Sequence, residues 1–456
     1  MGKQGKPGKE SASDPILKLP GSKVKIAVSD IDGVLRGKIL QKKKFIQAVE
    51  NGFGFCDVIF GWDANDKAYD NGNFTGWQTG YPDAEVRIDK STYRKLPWEN
   101  DIPFFLGDFV DKSGNGLSVC PRSLLKKIVA RAVKEGFVPA FSQEFEWFNF
   151  KETPGEISAK RFRDLNPLTS GMFGYSELKS SQNSRYFHDL FDLLLQAGIP
   201  LEGLHTETGP GVYEAAIVHS SILEAADRAI LFKTAVKEIA YRHGLMASFM
   251  AKWNADLPGC GGHIHQSLWD ESKNLFWKSS AEGHMSQLMR SYLAGQIHCL
   301  PKILPMIAPT VNSYKRLVEG AWAPTTITWG HDNRTTAWRT IMRSAGSARL
   351  ESRIPGSDVN PYLAMAACLA SGLYGIAKGM KLNQDATTGT GYADHKHGLL
   401  PRTLHDAIES MKGSDIANEL FGETFTDHFI RTREWEWRQY SNAVTDWELK
   451  RYFEII

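Results

Sequence analysis

Along the chain, apolar and polar positions change rhythm near residue 115. From Lys23 to about Asp111, short runs of alternating or apolar residues (KVKIAVSDI, FCDVIFGW, AEVRID, IPFFLGDFV) are broken by Gly-, Asn- and Asp-rich turns. That pattern predicts a small sheet-rich N-terminal domain. After Pro121 the period lengthens: in LLKKIVARAVKEG, Leu124, Leu125, Ile128, Val129 and Val133 recur at helical spacing and Gly136 ends the run. SSILEAADRAILFKTAVKEIAYRHG carries an apolar stripe of Ile222, Ala226, Ala229, Ile230, Val236, Ile239 and Ala240, with Gly244 as its stop signal. NPYLAMAACLASGLYGIAKG opens with Asn360 as N-cap and Pro361 in the first turn. A tail over residues 1–20, a sheet domain over 21–114 and a larger mixed domain over 119–456 follow from this reading. The tail, rich in Lys, Gly and Ser, is expected to be disordered.

Four predicted strands of the larger domain place ionisable residues two apart, which a pleated strand turns to one face. They are Glu144 and Glu146 in AFSQEFEWFNF, His205 and Glu207 in LHTETG, His263, His265 and Ser267 in GGHIHQSLW, and Arg349, Glu351 and Arg353 in ARLESRIP. A half-exposed sheet turning charges to water accounts for any one of them. Against that stand the large apolar residues between them (Phe145, Trp147, Leu350) and the bordering glycine turns GPG and GCGG, which allow a ligand close to the backbone. If the strands share a cavity, with Glu214 added, that many acids need cations to stay ionised. Oxygen-rich ligands with an occasional imidazole suit Mg²⁺ or Mn²⁺ better than zinc. Arg316, Arg334, Arg339, Arg349 and Arg353 suit phosphate and carboxylate oxygens. Metals with arginines imply phosphoryl transfer, yet neither a P-loop nor a kinase glycine loop is present, so ATP needs another architecture.

Composition narrows the field further. With 54 basic and 52 acidic residues in 456, no charge excess argues for nucleic acid or a membrane surface, and a hydrophobic share of 42% is ordinary for a globular protein. No apolar run reaches the length of a membrane span. Five scattered cysteines without a CxxC pair fit neither a disulfide scaffold nor a zinc site, so a reducing cytoplasm is the expected home.

The segments QEFEWF, HTETGPGVYE, GCGGHIHQSLWD, NSYKRLVEG, DNRTTAWR and RLESRIPGSDVNPYLAMAA resemble, in order and spacing, the glutamine synthetase family. The resemblance implies an α+β fold: a β-grasp N-terminal domain and a catalytic domain with a curved antiparallel sheet flanked by helices. It also implies stacked hexameric rings with sites between subunits. On the family's pattern Glu146, Glu207 and Glu214 hold one metal ion, and Glu144, His263 and Glu351 the other. His205, His265, Ser267, Arg334 and Arg349 fall to ATP, while Gly259, Arg316 and Arg353 fall to L-glutamate. Arg339 lies near the transferred phosphoryl group. The implied reaction phosphorylates the γ-carboxylate, after which an amine attacks the acyl phosphate.

The chain departs from the ammonia-using pattern at the flap, where Ala321-Trp322-Ala323-Pro324 puts Trp322 in the place of a glutamate. Val212 and Pro258 replace a Gln and an Asn of that pattern. These departures look like the branch making γ-glutamylpolyamines and other γ-glutamylamides, with an organic amine replacing ammonia. Trp322 then packs on the amine or, alternatively, only packs the flap. Asp63, or Asp83, corresponds to a loop residue that assists the amine in a neighbouring subunit; ordinary turn chemistry is the alternative. A glutamine synthetase with a remodelled flap and a non-catalytic ring-forming relative remain the competing readings.

Overall fold

A computed structural model describes residues 19–456, so the tail expected over 1–20 lies outside it except for Leu19 and Pro20. Leu19 packs in a small core with Val24, Ile26, Phe45 and Phe105. The first sheet comprises β1 (Lys23–Ser29), β2 (Leu35–Gln41), β3 (Phe53–Cys56), β4 (Asp83–Leu96) and β5 (Ile102–Val110). Its strand order is β2-β1-β5-β4-β3, with β1 and β5 parallel and the other pairs antiparallel. The helix Lys42–Asn51 buries Phe45 and Ala48 against it. FCDVIFGW is strand only as far as Cys56, contrary to expectation. From Asp57 to Phe60 it coils into a 3₁₀ turn, in which the Asp57 carboxylate accepts from Thr75 Oγ1 at 2.7 Å. The turn lets the adjacent Ile59 and Phe60 both point inward, which a flat strand cannot do.

The second sheet gathers β6 (Val138–Phe150), β7 (Leu201–Thr206), β8 (Val212–Ile217), β9 (Ser220–Ser221), β10 (Met246–Ser248), β11 (Ile264–Asp270), β12 (Lys273–Asn274), β13 (Trp329–His331), β14 (Trp338–Ile341) and β15 (Arg349–Ser352). Its main path runs β13-β14-β15-β11-β6-β8-β7, antiparallel except between β13 and β14. One face is apolar: Phe145 and Trp147 of β6 pack on Phe232 and Phe249 beside the helix Ile222–Arg242. Every residue of that helix's expected stripe is buried. The helix Pro361–Ala377 is buried along nearly its whole length, between the helices Pro121–Lys134 and Gln287–Ile303. Val133, expected in the stripe of Pro121–Lys134, is instead 60% exposed, because the buried face runs through Leu124, Leu125, Ile128 and Ala132 and Val133 lies beyond its edge. No helix among the described residues is long and apolar enough to cross a membrane.

The two sheets share one core, in which Ala27, Leu96 and Leu106 of the first, with Ile31 from the loop after β1, meet the helices of the second. Arg122 bolts them together. Buried to 2% exposure, it donates to Asp227 through Nε and Nη2 at 2.8 Å, to Asp108 at 2.8 Å and to Asp89 at 3.0 Å.

Candidate functional site

Strand register does what strand sequence alone cannot: it stacks the ionisable residues of separate strands into rows. Across the sheet Arg339 pairs with Glu351, Glu351 with His265, and His265 with Ser142. A second row sets Glu146 opposite Glu214 and Glu214 opposite His205. Since residues directly opposite share a face, the polar side chains converge over the side away from the aromatic core. Glu207, His263 and Arg353, read as strand residues, lie one residue outside β7, β11 and β15. Each still reaches the same space.

Beside the first row the Glu144 carboxylate meets His263 Nδ1 at 2.7 Å and His265 Nε2 at 3.3 Å. His263 Nδ1 is also 3.5 Å from Glu351 Oε1. Glu144, His265 and Glu351 each offer a ligand atom, all within 4.8 Å of one another. His205, Glu207 and Glu214 form a second such group. The family pattern assigns His263 to the first group and Glu146 to the second; here both imidazoles touch Glu144, and Glu146 Oε2 accepts from the Gly261 N–H at 2.6 Å. Oxygen donors with single imidazoles fit a hard divalent cation in either group.

The electrostatics agree with that chemistry. Burial alone raises the Glu144 carboxyl, but the charges and hydrogen bonds of His265 and His263 outweigh it and hold it well below the usual range. Glu214 is pushed up to about 8 by burial, then by the charges of Glu144 and Glu146. Burial pulls His205 down, but its contact with Glu214 raises it to about 8. His205 Nε2 and Glu214 Oε1 stand 3.7 Å apart, and a cation among these acids would relieve their crowding.

Arginines ring the acids. Arg339 reaches Glu351 Oε2 at 2.9 Å and is anchored from behind by Asp332 at 2.8 Å. Arg353 donates to Glu351 Oε1 at 2.5 Å, to the Arg334 carbonyl at 3.0 Å and to the Trp322 carbonyl at 3.4 Å. Arg316 ends the helix Val311–Arg316, whose N-cap Thr310 is tied to Asp358 at 2.7 Å. Its guanidinium donates to the Ile354 carbonyl at 2.9 Å and lies 3.2 Å from His263 Nε2. Gly259 backs it closely: a Cβ there would stand 2.8 Å from Arg316 Cγ and 2.5 Å from the Ala251 carbonyl, so only glycine fits.

Two cavities lie among the expected site residues, and one of them opens on Glu144. His265, Ser267 and Arg349 line one of about 310 Å³ with Glu144, and Arg349 Nε donates to His265 Nδ1 at 3.1 Å. Trp322 and Arg334 line another of about 570 Å³. Trp322 sits there at φ 56°, a strained conformation for a bulky residue, with its side chain 61% exposed. Asp63 is not brought to the cluster within its own chain. It accepts the N–H groups of Asn65 and Lys67 and, at 2.9 Å, the indole N–H of Trp435. Asp83 opens β4, also outside the cluster.

Sequence reasoning missed Tyr175 and Asp332. Tyr175, at φ 54°, stacks its ring 4.3 Å from the His205 imidazole. Nothing in GMFGYS marks a left-handed aromatic; the neighbouring glycines signalled only a turn. Asp332 was legible as the Asp of the DNRT motif, but its grip on Arg339 depends on the parallel pairing of β13 and β14.

Comparison with known proteins places this geometry. Residues 118–452 match the family model "Glutamine synthetase, catalytic domain". The chain is similar to "Type-1 glutamine synthetase 2" of Dictyostelium discoideum, 54% identical over 95% of this chain and 84% of the relative. It is also similar to "Glutamate--isopropylamine ligase" of a Pseudomonas species, at 36% identity over 95% of each chain. Among solved structures, a GmaS–ADP complex superposes with a TM-score of 0.82 at 28% identity, over 95% of this chain and 96% of its own. The chain belongs to the glutamine synthetase family.

Proposed function

We propose that this family ligase joins an organic amine, rather than ammonia, to the γ-carboxyl of L-glutamate at the expense of ATP. The observation that carries this is Trp322: an exposed indole lines the cavity at the flap position where an ammonia-using member offers a carboxylate. A carboxylate there would hold a small cation, whereas an indole offers apolar area and a π-face, worth about 1 kcal/mol to an amine's carbons or its charge. The Pseudomonas relative, named for isopropylamine, lends the reading support.

In this reading Glu146, Glu207 and Glu214 hold one divalent cation, and Glu144, His263 and Glu351 hold a second, with His265 and His205 close enough to share the work. Bound there, Mg²⁺ or Mn²⁺ supplies positive charge to the phosphate oxygens during transfer. ATP lies along His205, His265, Ser267, Arg349 and Arg334. Glutamate is gripped by Arg316 and Arg353 over Gly259. Arg339, braced by Asp332, steadies the transferring phosphoryl group. The amine nitrogen then bonds to the γ-carboxyl carbon, inorganic phosphate leaves with the C–O electron pair, and one amine proton is lost to a base. For Asp63 to be that base, it must act on a neighbouring subunit in a ring. Its engagement with Trp435 favours plain turn and anchor chemistry in its own chain. The division into a sheet domain over 21–114 and a catalytic domain over 119–456, the stacked rings and a cytoplasmic site of action belong to the same proposal.

A second reading, glutamine synthesis from ammonia, is favoured by the name of the 54% identical Dictyostelium relative. The two part on one assay: ATP- and glutamate-dependent phosphate release with Mg²⁺ across ammonium, methylamine, isopropylamine, ethanolamine, putrescine, spermidine and aniline. Turnover with an organic amine at far lower concentration than ammonium upholds the first reading, and ammonium winning outright restores the second.

A further inference from the structure

The turn over residues 332–335 carries two side chains that the reading above puts to work, Arg334 on ATP and Asp332 behind Arg339. Against it lies a segment that is neither helix nor strand, residues 381–390. Asn333 joins the two with every bond its amide can make. Its Nδ2 donates to the Gly389 carbonyl at 2.8 Å and to the Thr387 carbonyl at 3.2 Å. Its Oδ1 accepts from the Thr335 N–H at 3.0 Å and from the Thr335 hydroxyl at 2.7 Å. Two donors and two acceptor sites are all that a carboxamide has. The Thr335 hydroxyl in turn accepts from the Gly391 N–H at 2.7 Å. A segment without a ladder of its own must find partners for its backbone groups in side chains, and here one side chain serves two carbonyls. The fit is close: a Cβ on Gly330 would stand 2.9 Å from Asn333 Cβ and 3.0 Å from the Thr387 carbonyl.

Arg334 lies between these anchors. Asn333 before it and Thr335 after it are tied to the segment and to each other, and its own carbonyl accepts from Arg353 Nε at 3.0 Å. Its backbone is fixed on three sides while its side chain stays exposed and lines the cavity of about 570 Å³. The flap and the glutamate grip are held by other bonds. The Leu400 N–H donates to the Thr325 carbonyl at 2.9 Å and the Ile327 N–H to the Gly398 carbonyl at 3.0 Å, while Arg353 is held by Glu351 as well. Loss of the Asn333 amide leaves those bonds in place.

We infer that Asn333 is a positioning residue: its carboxamide locks the turn against this segment and so sets where the Arg334 guanidinium meets the nucleotide. The inference rests on the assignment of Arg334 to ATP made above. A backbone free to shift by about an ångström carries a guanidinium off its paired contacts with phosphate oxygens, and directional contacts of that kind tolerate little displacement.

The test measures Kd for Mg²⁺-ATP by titration calorimetry, and KM for ATP and for glutamate with the best amine of the panel above. It uses the full-length wild type, Asn333→Ala, Asn333→Asp, Arg334→Gln and the double variant Asn333→Ala/Arg334→Gln. Asn333→Asp keeps the accepting oxygens but has no N–H for the two carbonyls, so it is expected to fail as Asn333→Ala does. Both are expected to weaken Mg²⁺-ATP by about tenfold in Kd and KM, with KM for glutamate and the preference among amines unchanged. The double variant is expected to add nothing to Arg334→Gln alone, since Asn333 acts through Arg334. Thr335→Val, which removes the hydroxyl bridging Asn333 and Gly391, is expected to move Kd the same way and carries the test where the Asn333 variants do not fold. An unmoved Kd in these variants, effects that add in the double variant, or an equal rise in KM for glutamate overturns the inference. Arg334→Gln with an unmoved Kd, or a wild type that binds no Mg²⁺-ATP, overturns the assignment beneath it instead.

Discussion

Glu351 is where the site's charges converge: fully buried, it accepts from Arg339 at 2.9 Å and Arg353 at 2.5 Å and faces His263 at 3.5 Å. Burial alone raises its carboxyl, but the charges of Arg353, His265 and His263 outweigh that and hold it below the ordinary range. Glu351→Gln keeps the shape and removes the charge, leaving two buried guanidinium groups short of a counter-ion. It is expected to cost about 3 kcal/mol in urea unfolding without metal. It is also expected to lose most of the rise in melting temperature that Mg²⁺ gives the wild type, which calorimetry with and without Mg²⁺ reads. Trp322 is a cleaner probe, because its side chain is 61% exposed and carries little of the fold. Trp322→Glu restores a flap carboxylate and is expected to move the kcat/KM ratio of ammonium over isopropylamine upward by about tenfold or more. An unchanged ratio would show that the indole only packs the flap. Glu351 was legible from the i, i+2 spacing because a strand's geometry is fixed by its period, whereas Trp322 was legible only against the family's flap pattern. Tyr175 was not legible, because its place against His205 depends on a left-handed turn that no periodicity encodes.

Elements are joined here at their ends as much as along their faces. Asn360 caps the helix Pro361–Ala377 by accepting the Tyr362 N–H at 3.0 Å, and its Nδ2 donates to the carbonyls of Asp30 and Ile31 at 3.2 Å. One side chain thus ends a loop after β1 and starts the central helix. Gly33 makes that approach possible, since at φ 78° a Cβ would sit 3.0 Å from Asn360 Cα. Asn360→Ala is expected to cost about 2–3 kcal/mol: roughly 1 for the cap, the rest for buried carbonyls left without a donor. Equilibrium urea unfolding of the variant measures it, and a loss under half a kcal/mol would mean that water replaces the amide. The cap was readable as Asn-Pro before an apolar run, whereas its second partnership was not, because residues 30 and 360 are adjacent only after folding. The 3₁₀ turn at Asp57–Phe60 shows the opposite limit. An apolar run of that length buries itself equally well as strand or coil, and the choice fell to Thr75, far along the chain.

On the scale of the whole molecule, the helix Glu423–Ser441 folds back over the loop that follows β3, so the chain's two ends support each other. Trp435 holds Asp63, Arg433 pairs with Asp32, and the Asn71 amide donates to the Arg431 carbonyl at 2.9 Å. At the centre of this contact His428 lies buried between Phe60 and Phe74, ring centroids 6.4 and 5.8 Å away. Burial first, and then the charge of Arg433, push its imidazole down to about 4 from an ordinary 6.5. The folded state therefore refuses a proton that the unfolded chain accepts below pH 6.5. The stability tied to neutral His428 is fully present above that pH and is lost as pH falls through 4. Between pH 7 and pH 5 the loss amounts to about 2 kcal/mol, from the 1.36 kcal/mol carried by each unit of difference. His428→Phe, which keeps the ring and discards the titration, is expected to remove that much of the pH dependence in urea unfolding at the two pH values. The loop carrying Asp63 should also keep its protection from proteolysis at pH 5 in the variant and lose it in the wild type. Parallel pH dependence in both proteins would assign the acid sensitivity to the carboxylate and imidazole cluster of the candidate site, where His205 stands 3.7 Å from Glu214, rather than to the contact around His428.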